Sequence, residues 1–185
     1  LLNGCQPIIQ MYSVRTQGED KLVHVIREDL LMCGTVQRVV LPYLQLLESS
    51  NEFTYIVEGN DCVQAALADA CKLLGKTLHL FIKSQQFTTQ THLAMIFGAK
   101  IHKCEGLSDE EVATQISTMV PHAFPIPANL FTTQLVDLYK KLPLVTVELT
   151  KLKPRRIWLT TNLLFIYHAL HEALPENTRF VLVKV

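Results

Sequence analysis

The sequence has no surplus of either charge and little charge of any kind. It carries 17 basic and 17 acidic side chains, and charged residues make up 18% of the chain while hydrophobic residues make up 49%. Disordered segments have the opposite balance, with low hydrophobicity and high net charge. Domains that bind nucleic acids by neutralising phosphates usually carry a basic excess. The composition therefore predicts a folded globular protein and argues against nucleic acid as its partner.

Long apolar runs, a visible signal peptide and paired cysteines are missing as well. No apolar stretch approaches the roughly 20 residues that span a bilayer, so we expect no membrane segment. The first residues show no charged region followed by an apolar block, so no signal peptide is visible. The five cysteines form no CxxC pair. An odd number of scattered cysteines favours free thiols in a reducing, intracellular compartment, cytoplasmic or organellar, over a disulfide or zinc framework.

Short motifs that carry chemistry are also absent. The chain contains no GxSxG elbow, HExxH helix, Walker loop or GxGxxG turn, so the hydrolase, zincin, nucleotide triphosphatase and standard dinucleotide classes lack support. His168 and His171 are three residues apart on one predicted helix and could form half of a metal site. No third ligand stands at a definite spacing from them, so we expect no metal.

What the chain does contain is a regular alternation of short β-rich runs with helical patterns. Strands that alternate with helices of 10 to 15 residues predict parallel pairing, and continuous apolar strands predict burial on both faces. The predicted class is α/β, doubly wound, with mostly parallel sheets and helices on both faces. Strands are predicted at 22–26, 53–57, 77–82, 99–104, 156–160 and 179–185, and the main helices at 36–48, 61–74, 87–97, 108–118 and 163–173.

The least regular stretch divides the chain into two predicted parts. Residues 1–142 form an N-terminal segment and a compact βαβαβ small domain, and residues 143–154 form a linker. Residues 155–185 form a βαβ unit that ends on a strand. Such an end indicates either a complete small fold or a fragment of a longer protein.

Candidate ligand-binding residues lie in the loops after the predicted strands. In open parallel sheets, ligands bind beyond the carboxyl ends of the strands. Polar groups and glycine at helix starts suit such a site, although an ordinary turn or helix cap is the simpler interpretation of the loops at 59–60 and 160–162. The candidates are Thr35, Arg38, Gly59, Asn60, Thr160, Thr161 and Asn162.

The passage from Gly59 to Lys76 resembles a known family. Its Gly-Asn start and its helix ending in Lys-Leu-Leu-Gly are similar to the S-x-G-N-H loop and the K-x-L-G helix end of the fold type II pyridoxal-phosphate enzymes. That family includes tryptophan synthase β, threonine dehydratase, cysteine synthase and aminocyclopropane-carboxylate deaminase. Residues 93–101 and 154–174 continue the similarity, the latter to a strand and helix of the large domain. The resemblance implies the family's fold, its cofactor and a tendency to dimerise.

Three positions depart from the family pattern. The Schiff-base lysine of its G-[NT]-K-x-R motif corresponds to Val36, and a valine cannot form an imine. Glu58 stands close to the place of the family's serine, and the phosphate loop at Thr160 to Asn162 contains no glycine. We therefore expect no bound cofactor and no catalytic residues. The leading interpretation is a pseudoenzyme with a vestigial pocket, retained for binding a protein partner, for homodimerisation or as a subunit of a larger assembly.

Two alternatives of other classes stay open. If Lys21 or Lys83 were the family's lysine in another register, the chain would be an active pyridoxal-phosphate-dependent lyase, deaminase or dehydratase of a small amino acid. The pocket could instead bind a small anion, with Thr35, Asn60, Thr160 and Thr161 as hydrogen-bonding groups.

Overall fold

The structure is a computed structural model that describes residues 8–31, 33–47, 49–58, 63–127, 133–142, 144–160 and 164–184. It confirms the α/β class, with parallel sheets flanked by helices. The strands are β1 Ile9–Thr16, β2 Glu19–Ile26, β3 Glu52–Val57, β4 Thr77–Ile82, β5 Lys100–Lys103, β6 Phe124–Pro125, β7 Arg156–Thr160 and β8 Arg179–Val183. The helices are α1 Gly34–Leu46, α2 Val63–Leu73, α3 Thr89–Ile96, α4 Asp109–Met119, α5 Thr133–Lys140, α6 Thr150–Leu152 and α7 Leu164–Ala173.

The first two strands form an antiparallel hairpin that the sequence pattern does not predict. Ile9 pairs with Ile26 at one end and Thr16 with Glu19 at the other. Gln17 and Gly18 both have positive φ, as the two-residue turns that suit twisted hairpins require. The sequence predicted a strand only at 22–26, because polar residues interrupt the apolar pattern on both sides of the turn.

A four-stranded parallel sheet forms the centre of the fold, in the order β5-β4-β3-β6. Nearly every residue of β3 and β4 is buried, which explains their continuous apolar sequences. The chain adds β4 and β5 on one side of β3 and then places β6 on the other side. This reversal makes a topological switch point between β3 and β6, where the loops after the two strands diverge.

The C-terminal unit packs into the same core as the central sheet. Strands β7 and β8 are parallel, with Arg156 opposite Arg179, and α7 connects them. One apolar cluster joins Val39 of α1 to Leu170 of α7. The stretch predicted as a linker is helical at Leu144–Leu149 and in α6. Because Val145 lies in the core cluster, this stretch packs as part of the fold, while the division of the chain at 143–154 stays a prediction.

The predicted helix start at residue 108 is confirmed in atomic detail. The Ser108 hydroxyl accepts a hydrogen bond from the backbone N–H of Glu111, and the Glu111 carboxylate accepts one from the Ser108 N–H. This reciprocal capping box fixes the first turn of α4. No helix in the described part of the chain is long and apolar enough to cross a membrane.

Two stacked histidines, the buried His79 and the half-buried His102, lie at the edge of the central sheet. The Nδ1 atom of His79 lies 3.0 Å from the Nε2 atom of His102, whose ring also stacks on Phe81. Burial and the nearby Lys100 ammonium lower the pKa of both imidazoles, and Glu52 partly opposes this for His79. Both imidazoles are therefore harder to protonate in the folded protein than in the unfolded chain.

Acidification should destabilise the fold through this pair. The pKa values of the folded state lie below the ordinary value of 6.5, so the unfolded chain binds protons first as the pH falls. The free energy of unfolding should be constant above that value, decrease as the pH falls through it, and level off below the folded pKa values. Denaturant unfolding at a series of pH values measures this. His102→Phe should flatten the profile and exposed His92→Gln should not; an unchanged profile in His102→Phe would contradict the assignment.

Candidate functional site

The start of α1 is the position that the family resemblance marks as catalytic. Gly34 has a φ of 62°, which lets the chain turn sharply into the helix. Val36, two residues after Gly34, is only 6% exposed and belongs to the main apolar cluster with Val39 and Val40. The side chain at position 36, where the resemblance predicts the family's lysine, thus belongs to the core. Thr35 beside it is also buried and lines a cavity.

Arg38 is the buried partner of an ion pair with the half-buried Glu28 behind the helix start. Its side chain is 1% exposed, and its Nε atom donates to both carboxylate oxygens of Glu28, at 3.0 and 3.1 Å. Burial raises the pKa of Glu28, and the Arg38 charge opposes that rise. The Tyr139 hydroxyl is buried near the same pair, and its pKa is raised by burial and by Glu28. Arg38 therefore binds the Glu28 carboxylate of the same chain. Whether it also binds a ligand stays a prediction.

Lys83 lies beyond the carboxyl end of β4, at the edge where ligands of parallel sheets bind. Its ammonium is 3.3 Å from a Glu58 oxygen and 2.5 Å from an Asp109 oxygen. The hydrogen bonds that Lys83 donates to these two carboxylates raise its pKa. An imine-forming lysine is instead activated by a lowered pKa, so this environment does not favour Lys83 as a covalent anchor. Glu58, one of the departures from the family pattern, is here the partner of a cation.

The other predicted site residues are only partly covered by the structure. Gly59, Asn60, Thr161 and Asn162 lie outside the described residues. Thr160 ends β7, and its side chain also falls outside the description. The structure consequently places Thr35 and Arg38 together at one helix start and leaves the convergence of the remaining candidates as a prediction.

A cavity of about 1230 Å³ lies between the hairpin, the start of α1 and the C-terminal unit. Its walls are mainly apolar, from β2, from α7 and from the segment that leads into β7. Sequence reasoning missed the basic side chains on these walls, although four cations within residues 151–156 could have indicated them. The cationic lining residues are Lys21, Lys153, Arg155, Arg156 and Arg179. Among the residues that the structure describes, no group of three or more His, Cys, Asp and Glu side chains could hold a metal ion.

Comparisons of the whole chain with known proteins place its architecture. No protein-family model matches the sequence, and no curated protein matches it. Among solved structures, an O-ureido-L-serine synthase matches with a TM-score of 0.72 at 15% identity, covering 98% of this chain and 61% of that one. A pyridoxal 5'-phosphate-dependent aspartate racemase matches with a TM-score of 0.64 at 17% identity, covering 89% and 51%. The O-acetyl serine sulfhydrylase isoform 3 of Entamoeba histolytica matches with a TM-score of 0.67 at 14% identity, covering 98% and 59%.

The chain has the fold of the type II pyridoxal-phosphate enzymes. It spans between 51% and 61% of the length of these three solved structures. At identities of 14% to 17%, the likeness concerns the fold and not a particular activity.

The expectation that no cofactor is bound is wrong. The matching racemase is described as dependent on pyridoxal 5'-phosphate, so the structures that share this fold contradict the expectation. The expectation rested on Val36, on Glu58 and on the glycine-free loop at Thr160 to Asn162. Of these, Val36 removes a covalent bond but does not by itself remove the surrounding pocket. The valine at position 36 has no amine with which to bind the cofactor covalently. The Thr35 hydroxyl on the cavity wall could hydrogen-bond a ligand that is bound non-covalently.

Removing the Glu28 carboxylate should destabilise the protein strongly. Glu28→Ala removes the carboxylate that accepts from the buried Arg38 Nε, and removing one partner of a buried charge pair costs about 3 kcal/mol. Asp29→Ala is the matched control, because Asp29 pairs with Arg27 at the surface and exposed pairs contribute about 0 to 1 kcal/mol. Urea unfolding of the two variants measures the difference. Equal losses in both variants would show that the Glu28 pair does not anchor the helix start.

Proposed function

We propose that the chain is a non-catalytic protein of the type II pyridoxal-phosphate fold, which acts by binding a protein partner, specifically a second copy of itself. The observation that carries the proposal is Val36, a buried core residue where the family's motif has lysine. Pyridoxal phosphate, when bound, supplies an electron sink for amino-acid chemistry. Without an amine at position 36, this helix start offers neither a covalent anchor nor a proton carrier for that chemistry.

The retained residues support a scaffold role for the helix start. Arg38 and Glu28 hold the turn after β2 against α1, and Val36 packs into the core below them. Thr35 is the described group at this start that faces the cavity and can hydrogen-bond a ligand. In this proposal, cofactor bound beside Thr35 orders the fold and is not turned over.

The apolar surface of the hairpin supports self-association. Met11 and Leu22 lie on one face and are 67% and 62% exposed, and the cross-strand pair Tyr12 and Val23 lies exposed on the other face. Within the described residues, β1 and β2 pair only with each other. A two-stranded hairpin is marginally stable alone in water, so packing against a second hairpin would stabilise it. Identical patches on two copies suit a symmetric dimer.

A second candidate function is an active pyridoxal-phosphate-dependent enzyme acting on an amino acid. The observation in its favour is that the matched structures include a racemase, a synthase and a sulfhydrylase. It requires another lysine, such as Lys21 on the cavity wall, to take the place of residue 36.

Borohydride treatment distinguishes the two functions. The native chain, incubated with pyridoxal phosphate and reduced, should gain no stoichiometric pyridoxyl group, because position 36 has no amine. Val36→Lys should gain one group at residue 36. Gln37→Lys, which places a lysine one position further along the helix, is the matched control and should gain none. Peptide mass spectrometry measures all three.

A single lysine of the native chain that is fully modified would overturn the non-catalytic proposal in favour of the enzyme. Melting curves establish that each variant folds, since a lysine at position 36 is buried. If Val36→Lys fails to fold, the native result still decides between the two functions.

The hairpin should mediate dimerisation in solution. Leu22→Lys places a charge in the proposed apolar contact and should shift the native dimer to monomer, as measured by sedimentation equilibrium. Leu46→Lys, at an exposed leucine on α1 outside the hairpin, should remain dimeric. A native chain that is monomeric at micromolar concentration, or a Leu22→Lys variant that is still dimeric, would contradict the proposed contact.

A further inference from the structure

The cavity beside β7 and β8 is lined by cations that have no acidic partners among the described residues. Five basic side chains line the cavity, namely Lys21, Lys153, Arg155, Arg156 and Arg179. None of them takes part in an ion pair among the described residues, whose pairs involve other cations. Glu28 is the one carboxylate among the described lining residues, and it is held by Arg38. The cavity wall therefore carries a strong positive excess.

Two of these arginines are placed side by side by the strand register. Arg156 and Arg179 are direct partners on the parallel strands β7 and β8, and the Arg179 N–H donates to the Arg155 carbonyl at 3.0 Å. Partners in register point to the same face of a sheet, and like charges directly opposite each other are destabilising. An anion between the two guanidinium groups would remove this repulsion, and guanidinium binds phosphate or carboxylate through paired hydrogen bonds.

The turn before β7 holds a further cation in an unfavourable backbone conformation. Lys153 ends α6 with a φ of 43°, a left-handed conformation that residues with a Cβ atom rarely adopt. Backbone strain of this kind is concentrated at functional sites. The turn places Lys153 and Arg155 on the cavity wall beside the arginine pair.

An exposed aromatic side chain lies beside the arginines. Trp158, the one tryptophan in the sequence, is 62% exposed and also lines the cavity. It follows Arg156 by two residues on β7 and therefore points to the same face of the strand. Tryptophan is largely buried in most proteins, and an exposed indole beside cations offers a surface on which a planar ligand can stack.

We propose that this wall is a ligand site for a small organic polyanion, with two or more negative groups next to a planar apolar body. The cations would bind the negative groups, and Trp158 would stack on the planar part. Apolar side chains of β2, next to Lys21 and His24 of the same strand, also line the cavity. A cavity lined in this way suits a small molecule better than a nucleic-acid strand, and the volume is slightly above the range of about 300 to 1,000 Å³ that is usual for ligand pockets. The site does not depend on the state of position 36.

Fluorescence of the single tryptophan tests the site directly in the full chain. The probes are metal-free ATP, which combines a polyanion with a planar base, tripolyphosphate, which lacks the base, and adenosine, which lacks the charge. ATP should change the Trp158 emission saturably and bind at least tenfold more tightly than either of the others. Arg156→Gln and Arg179→Gln should each weaken ATP binding at least tenfold. Arg15→Gln removes an exposed cation that does not line the cavity and should leave binding unchanged.

Three results would overturn the proposal. ATP and tripolyphosphate could produce neither a saturable emission change nor heat in calorimetry. Arg15→Gln could weaken binding as much as Arg156→Gln, which would indicate a diffuse surface field. A single-stranded oligonucleotide could bind more tightly than ATP, which would assign the surface to nucleic acid. Because the native chain alone can give the first and third results, the test does not depend on whether the variants fold.

Discussion

The buried pair of Arg38 and Glu28 is the interaction on which the arrangement of the site depends. Glu28 lies in the turn that leaves the hairpin, Arg38 lies in the first turns of α1, and Tyr139 of α5 is buried near both. Because the guanidinium is 1% exposed and its Nε donates to Glu28, moving the turn away from the helix would remove a charged acceptor from a buried cation. This constraint fixes the direction in which β2 enters the cavity wall. It also fixes Val36 in the core and Thr35 at the cavity.

The central strands could be predicted from sequence because their burial is uniform. In β3 and β4, almost every side chain is enclosed by helices, so apolar residues follow one another without alternation. The box formed by Ser108 and Glu111 is equally local and was predictable for that reason. Strand β1 could not be predicted, because six of its eight residues are exposed and no apolar face distinguishes it from a loop. Its pairing depends on β2 and on the turn at Gln17 and Gly18.

The candidate site was less predictable, since it depends on how distant segments meet. The residues from Gly34 to Arg38 predicted a special helix start, with Arg38 as a ligand-binding residue. In the structure, the Arg38 Nε donates a hydrogen bond to Glu28, ten residues earlier. The cofactor expectation failed for a related reason. A single side chain decides whether a covalent bond forms, but the pocket of a shared fold is built by many backbone segments. Loss of the lysine therefore says more about chemistry at position 36 than about what the fold can bind.

The neutral net charge of the chain does not reveal how its acidic and basic side chains are distributed over the fold. Three acidic residues lie in the first turn of α4, where the helix dipole stabilises negative charge. One of them, Asp109, pairs with Lys83. Lys153, Arg155, Arg156 and Arg179 instead line one cavity, around the arginine pair of β7 and β8. Electrostatic binding depends on the local potential of a cleft and not on the sum over the chain. A protein with no net charge can thus present one strongly cationic cavity, and its apolar walls would strengthen the attraction by excluding water.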